Sequence, residues 1–148
     1  MSSELQTILN NIDQLINDDK FDDAINLILT YIEGPSHDNH YQLYTRLANS
    51  YYKLNDYENA YYQYQYIMNH YQTSSNVYYK SGFINHYHFG DHETAQKMYE
   101  SCLSMKQDHM KCIYQLAKLK LYYFTELEQA KALFIKLIIN KKQTACIW

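Results

Sequence analysis

The chain has 148 residues, 47% of them hydrophobic, with three glycines and one proline, and a formal net charge of −3 at pH 7. This is enough to bury a core, is too apolar for a disordered chain, and is poor in helix breakers, as long helices require. A single arginine and no dense basic run argue against nucleic acid as the partner.

In chain order, one short phrase recurs: Phe21-Asp22-Asp23-Ala24, Tyr57-Glu58-Asn59-Ala60, His92-Glu93-Thr94-Ala95 and Leu127-Glu128-Gln129-Ala130. The alanines are spaced 36, 35 and 35 residues apart. A fixed period in this range predicts stacked supersecondary units, none of which can bury its apolar face alone. Four residues after each alanine stand Ile28, Tyr64, Tyr99 and Phe134, and seven after it Tyr31, Ile67, Cys102 and Leu137, which share one helical stripe. Upstream stand Ile12, Ala48, Gly82 and Ala117, three of them small enough to admit a neighbouring helix closely. Between them lie turns at Asp18-Asp19, Leu54-Asn55-Asp56, Phe89-Gly90-Asp91 and Phe124-Thr125-Glu126, rich in helix stops and N-caps. Each unit therefore reads as helix A, tight turn, helix B. Tyr61-Tyr62-Gln63-Tyr64-Gln65-Tyr66 also alternates like a strand, but the flanking register decides for helix.

This arrangement resembles the tetratricopeptide repeat (TPR) family. The second unit carries the pattern most fully, with Tyr44, Leu47-Ala48, Tyr51, Asn55-Asp56-Tyr57, Ala60 and Tyr64. The third and fourth match with one extra residue before the turn, and the first is degenerate, with Ile12 where a small residue belongs. The resemblance implies an all-α, right-handed superhelical α-α solenoid of about four helix-turn-helix repeats. It is read as a single TPR-like domain over 1–148, with repeats at about 4–35, 40–73, 75–108 and 110–142 and a tail 143–148 without periodicity. The stretch Ile32–Asp38, holding the one proline, reads as an inter-repeat loop, or as a hinge. Ile147 and Trp148 are expected to fold back over the last apolar face, or that end docks onto another chain.

Tyrosine is the compositional oddity: 17 of 18 lie between Tyr41 and Tyr123. Repeat positions account for Tyr44, Tyr51, Tyr57, Tyr64 and Tyr99. They leave Tyr52, Tyr79, Tyr87, Tyr114 and Tyr122, on helix A faces that in TPR proteins tend to line the concave groove. Tyrosine offers large, rigid contact area with a polar tip and is enriched at binding hot spots. Arg46, Asn49, His86, Lys111 and Lys118 are the polar candidates among them. Arg46 has an alternative role, pairing with a neighbouring carboxylate. Tyr62 and Tyr66, off the helix B stripe, mark a candidate second surface on the convex side. The carboxylate clamp of peptide-binding TPR proteins is incomplete, since Leu9 and Asp13 stand at its first pair and Arg46 at its asparagine.

Charge is uneven: residues 1–60 carry ten acids against three bases, a net of −7, and residues 61–148 carry +4. Such polarity suits end-to-end stacking or a bipolar partner, or is a solvated surface only. The three cysteines, Cys102, Cys112 and Cys146, read as no close pair, which with a start lacking a secretory signal leads us to expect a cytoplasmic chain or one in a cytosol-facing assembly. His86, His88 and His92 are not expected to hold a metal, because Gly90-Asp91 breaks the helix between them. No phosphate loop, His-Glu-x-x-His or nucleophile elbow is present, and paired acids such as Asp22-Asp23 serve a helix N-terminus. The expectation is a non-catalytic adaptor or scaffold without cofactor. It would bind a protein or peptide segment in a Tyr-rich groove as a subunit of a larger assembly, without nucleic acid or membrane insertion. The alternative is a small TPR chaperone, similar to those of secretion systems, that shields a client segment.

Overall fold

The computed structural model describes residues 3–34 and 40–145. Among them run eight α-helices and no strand: α1 (Ser3–Asn17), α2 (Phe21–Ile32), α3 (Tyr41–Lys53), α4 (Tyr57–His70), α5 (Ser75–Ile84), α6 (His92–Met105), α7 (Met110–Tyr122) and α8 (Leu127–Ala145). A π-helical turn, Asn85–Phe89, extends α5. The helices form four hairpins in two compact units, Met1–Gln72 and Thr73–Trp148, two hairpins in each. The loop at Pro35–Asp38, and Cys146, Ile147 and Trp148, lie outside the described residues.

The repeated alanines carry the packing. Ala24, Ala60 and Ala95 are fully buried and Ala130 is 1% exposed. In the first unit, Leu5, Leu9 and Ile12 of α1 close on Ala24, Ile25 and Ile28 of α2, and Leu43 and Leu47 of α3 complete the cluster. Each of these leucines and isoleucines contributes about 1.5–3 kcal/mol on leaving water. In the second unit, Ala95, Tyr99 and Cys102 of α6 meet Cys112, Leu116 and Leu119 of α7.

The turns obey one geometry. Asp19, Asn55, Gly90 and Thr125 all have positive φ, between 52° and 69°, at the same place in each hairpin. A left-handed residue there reverses the chain and lets the next amide reach back to an open helix carbonyl. Lys20 N–H donates to Leu15 C=O at 2.8 Å, and Asp56 N–H donates to Tyr51 C=O at 2.9 Å. In the third and fourth hairpins the same bond spans one residue more: Asp91 to Asn85 and Glu126 to Lys120, each 2.9 Å. The extra residue is thus absorbed inside the end of helix A. In the third hairpin it forms the π turn, where Gly90 N–H also donates to Asn85 C=O. In the fourth, the Phe124 amide reaches five residues back, to Leu119 C=O at 3.3 Å.

N-caps then start helix B. Asp56 accepts from Asn59 N–H and Asp91 from Thr94 N–H, each through its carboxylate. The fourth turn is held differently. Lys120, 6% exposed, donates from Nζ to Glu126 Oε2 at 2.7 Å and to Gln129 Oε1 at 2.8 Å. A buried ammonium is tolerable only with such partners.

Two expectations are corrected. The cysteines do form a close pair: Cys102 of α6 and Cys112 of α7 are joined by a disulfide, with Cα atoms 6.6 Å apart. Ten residues separate them in sequence, but they face each other across the α6–α7 contact. The aperiodic tail also begins later, because α8 continues through residues 143–145.

Candidate functional site

In the second unit, α5 with its π extension and α7 present a run of aromatic and cationic side chains. Tyr114 and Lys118 are four apart on α7, and Tyr122 follows one turn later. Lys118 Nζ lies 5.4 Å from the ring centres of both Tyr87 and Tyr114, within cation–π reach of each. It also donates to Tyr87 Oη at 2.9 Å, and that hydroxyl in turn donates to Gln115 Oε1 at 2.6 Å. The bond to Tyr87 holds the Lys118 ammonium above the usual lysine range. Tyr87 and Tyr114 are each 47% exposed and Tyr122 70%. With Lys118, Tyr122, Tyr123, Tyr87 and His86 frame a cavity of about 370 Å³.

His86 is the floor of that cavity. At 7% exposure it is a core histidine, its Nδ1 3.3 Å from Tyr99 Oη and its ring stacked on Tyr87 at 4.1 Å. Burial, reinforced by His92 and Lys118 nearby, lowers its pKa to about 4, so it is neutral at pH 7. His92 packs against Tyr123 with ring centres 3.4 Å apart.

Tyr79 is half-buried, packed against Phe83, Tyr99 and His109, and burial raises its hydroxyl above the usual range. Lys111 lies over it, Nζ 5.8 Å from the ring centre. Tyr114 stands edge-on to Phe134 of α8 at 6.5 Å, beside a second, apolar cavity of about 450 Å³ between α7 and α8. Of the residues singled out in this unit, Tyr87, Tyr114, Lys118 and Tyr122 share one open surface. Tyr79 and His86 are turned into packing.

In the first unit, Arg46 makes a bidentate pair with Asp13, Nε to Oδ1 at 2.7 Å and Nη2 to Oδ2 at 2.9 Å. The guanidinium keeps the Asp13 carboxyl below the usual carboxylate range. Asn49 accepts the hydroxyl of fully buried Tyr64 at 2.7 Å. Tyr52 stands edge-on to Tyr57 at 5.6 Å. Arg46 thus ties α3 to α1, and Asn49 and Tyr52 tie α3 to α4. Tyr66 joins an aromatic cluster with Tyr44, His70 and Tyr71, and Tyr62, four residues earlier on α4, is 67% exposed.

Sequence reasoning missed a further constellation. Cys102, His109 and Cys112 place their ligand atoms within 4.8 Å of one another, the single such group among the described residues. The sulfurs bond to each other, and both imidazole nitrogens have partners: Nδ1 accepts from Cys112 N–H at 3.3 Å, and Nε2 lies 2.9 Å from Asn76 Oδ1. The group reads as a staple and an N-cap. Its signal in the sequence was the His109-x-x-Cys112 spacing at the start of a helix.

No protein-family model matches the chain, and no curated protein sequence does. Solved structures do. A crystal structure of MamA is 18% identical, covers 95% of this chain and 80% of its own, and superposes with a TM-score of 0.80. MamA 41-end from Desulfovibrio magneticus RS-1 is 13% identical over 93% of this chain and 76% of its own, TM-score 0.79. YrrB, described as a TPR protein with an unusual peptide-binding site, is 13% identical over 90% of this chain and 66% of its own, TM-score 0.78. No described helix is long and apolar enough to cross a membrane. With four helix hairpins, alanines recurring every 35 or 36 residues and these neighbours, the chain is by fold a TPR-like helical-repeat protein.

Proposed function

We propose that this chain is a non-catalytic protein-interaction adaptor, acting within a larger assembly, and that its second unit grips a partner's peptide segment through Tyr87, Tyr114, Lys118 and Tyr122. One observation carries the reading: three tyrosines, exposed by 47–70%, are held around a lysine that bonds or faces two of them. Tyr87 is held by hydrogen bonds to Lys118 and Gln115, and Tyr114 by its cation–π contact with Lys118, and partly exposed rings held in this way suit a contact surface that loses little entropy on binding. The lysine and the hydroxyls favour a segment with carboxylate and aromatic side chains. YrrB, of the same fold, is described as having a peptide-binding site, which makes a peptide the natural class of partner.

A buried Cys102–Cys112 bond favours an oxidising setting over the cytoplasm, and trapping free thiols in cells decides between the two.

An array of immobilised acidic, neutral and basic peptides with and without aromatic residues tests the binding surface. Acidic, aromatic peptides should retain the chain, and Tyr87→Ala with Tyr122→Ala should weaken retention at least about tenfold while circular dichroism still shows the folded helices. Wild-type retention by that double variant overturns the proposal.

A further inference from the structure

We propose that the cavity between α7 and α8 is the seat for an α-helix of a partner protein, with apolar residues at i, i+4 and i+7 flanked by acidic ones. The repeat itself defines the occupant. Tyr114, Phe134, Leu137 and Ile138 line this cavity of about 450 Å³. Thirty-five residues earlier stand Tyr79, Tyr99, Cys102 and Leu103. There the same four positions are covered by α7, whose Cys112, Leu116 and Leu119 (i, i+4, i+7) join one cluster with them. In the first unit, Ile28, Tyr31 and Ile32 of α2 are covered in the same way by Leu43 and Leu47 of α3. At α8 no described helix fills the place, and Ile138 is 56% exposed. The shape missing is therefore that of one more helix A.

Charge selects its chemistry. Lys111 and Lys141 rim the cavity. Apart from Lys120, which is buried and paired with Glu126, α7 and α8 carry six lysines against one acid, Glu128. A helix with carboxylates beside its apolar stripe is attracted, and a basic one is repelled. Two copies meeting through this face would bring four rim lysines together, Lys111 and Lys141 of each. Nor does the acidic end of a second copy offer a free stripe, because Leu5, Leu9 and Ile12 of α1 and Ala24, Ile25 and Ile28 of α2 are already buried. This surface is separate from the Tyr87–Tyr122 contact, although Tyr114 borders both.

The test is fluorescence anisotropy with two synthetic helical peptides sharing one Leu stripe at i, i+4 and i+7, one flanked by glutamates and the other by lysines. The full chain should bind the glutamate peptide at least about tenfold more tightly, with affinity falling as salt rises. Ile138→Asp should abolish binding, and Lys111→Glu with Lys141→Glu should invert the preference. Tyr87→Ala with Tyr122→Ala should leave it intact, which separates this proposal from the peptide contact above. Circular dichroism checks the fold of each variant, and the exposed lysine pair carries the test if Ile138→Asp unfolds. Equal binding of both peptides, or of neither, overturns the proposal. So does sedimentation showing self-association lost in Ile138→Asp, which seats a second copy. Binding that appears only after removal of residues 146–148 also overturns it, since the chain's own end would then fill the place.

Discussion

Gly82→Ala should destabilise the second unit, against the usual sense of that substitution. In a helix interior, alanine is favoured over glycine by about 0.5–1 kcal/mol. A methyl at position 82, however, would lie 2.7 and 2.8 Å from Tyr99 Cε1 and Cδ1 and 3.2 Å from Met98 Cβ. Carbon contacts need roughly 3.5–4 Å, so the ring must retreat by most of an ångström. It has nowhere to go: Tyr99 is fully buried, with His86 at its hydroxyl and Tyr79 against its ring. Overpacking of this kind costs about 1–3 kcal/mol, so the net loss should be on the order of 1–2 kcal/mol. Urea unfolding, followed by the far-ultraviolet signal, gives the number directly. Repeating the substitution in a Tyr99→Leu background should reduce the loss, because the two changes share one contact. Stability equal to or above the parent, or strict additivity with Tyr99→Leu, refutes the close-approach reasoning.

Two further outcomes follow. His86 has its folded pKa lowered from 6.5 to about 4, so its contribution is complete above about pH 6.5 and is lost as pH falls toward 4. Urea midpoints between pH 7 and 4.5 should fall less steeply in His86→Asn, and equal slopes contradict the buried neutral imidazole. Reducing Cys102–Cys112 opens a short loop, worth about 2–3 kcal/mol by chain entropy. Urea unfolding with and without dithiothreitol measures it, and no change would deny the bridge.

The repeat register was legible because burial at a helix junction leaves room only for a small residue, and Ala24, Ala60, Ala95 and Ala130 repeat that demand. The extra residue of the third and fourth hairpins was countable, but counting does not reveal where it goes. The π turn at Asn85–Phe89 is a backbone solution. His86 lies four residues past Gly82 and so shares its inward face, which helical spacing alone could have shown. Tyr79 and Tyr114 occupy one repeat position yet differ in exposure, because α7 covers the first and no described helix covers the second. The disulfide was hidden because its partners lie on separate helices and meet only once α6 and α7 pack. Arg46 read equally as groove ligand or ion-pair partner, and Asp13, thirty-three residues away, decided it.

The most direct test is nuclear magnetic resonance of the chain with isotope-labelled tyrosine rings, titrated with the peptide the array retains best. Tyr87, Tyr114 and Tyr122 should shift together and saturate with the peptide, while buried Tyr64 and Tyr99 stay in place. Shifts confined to Tyr62 or to other tyrosines of the first unit would contradict the assignment of the binding surface.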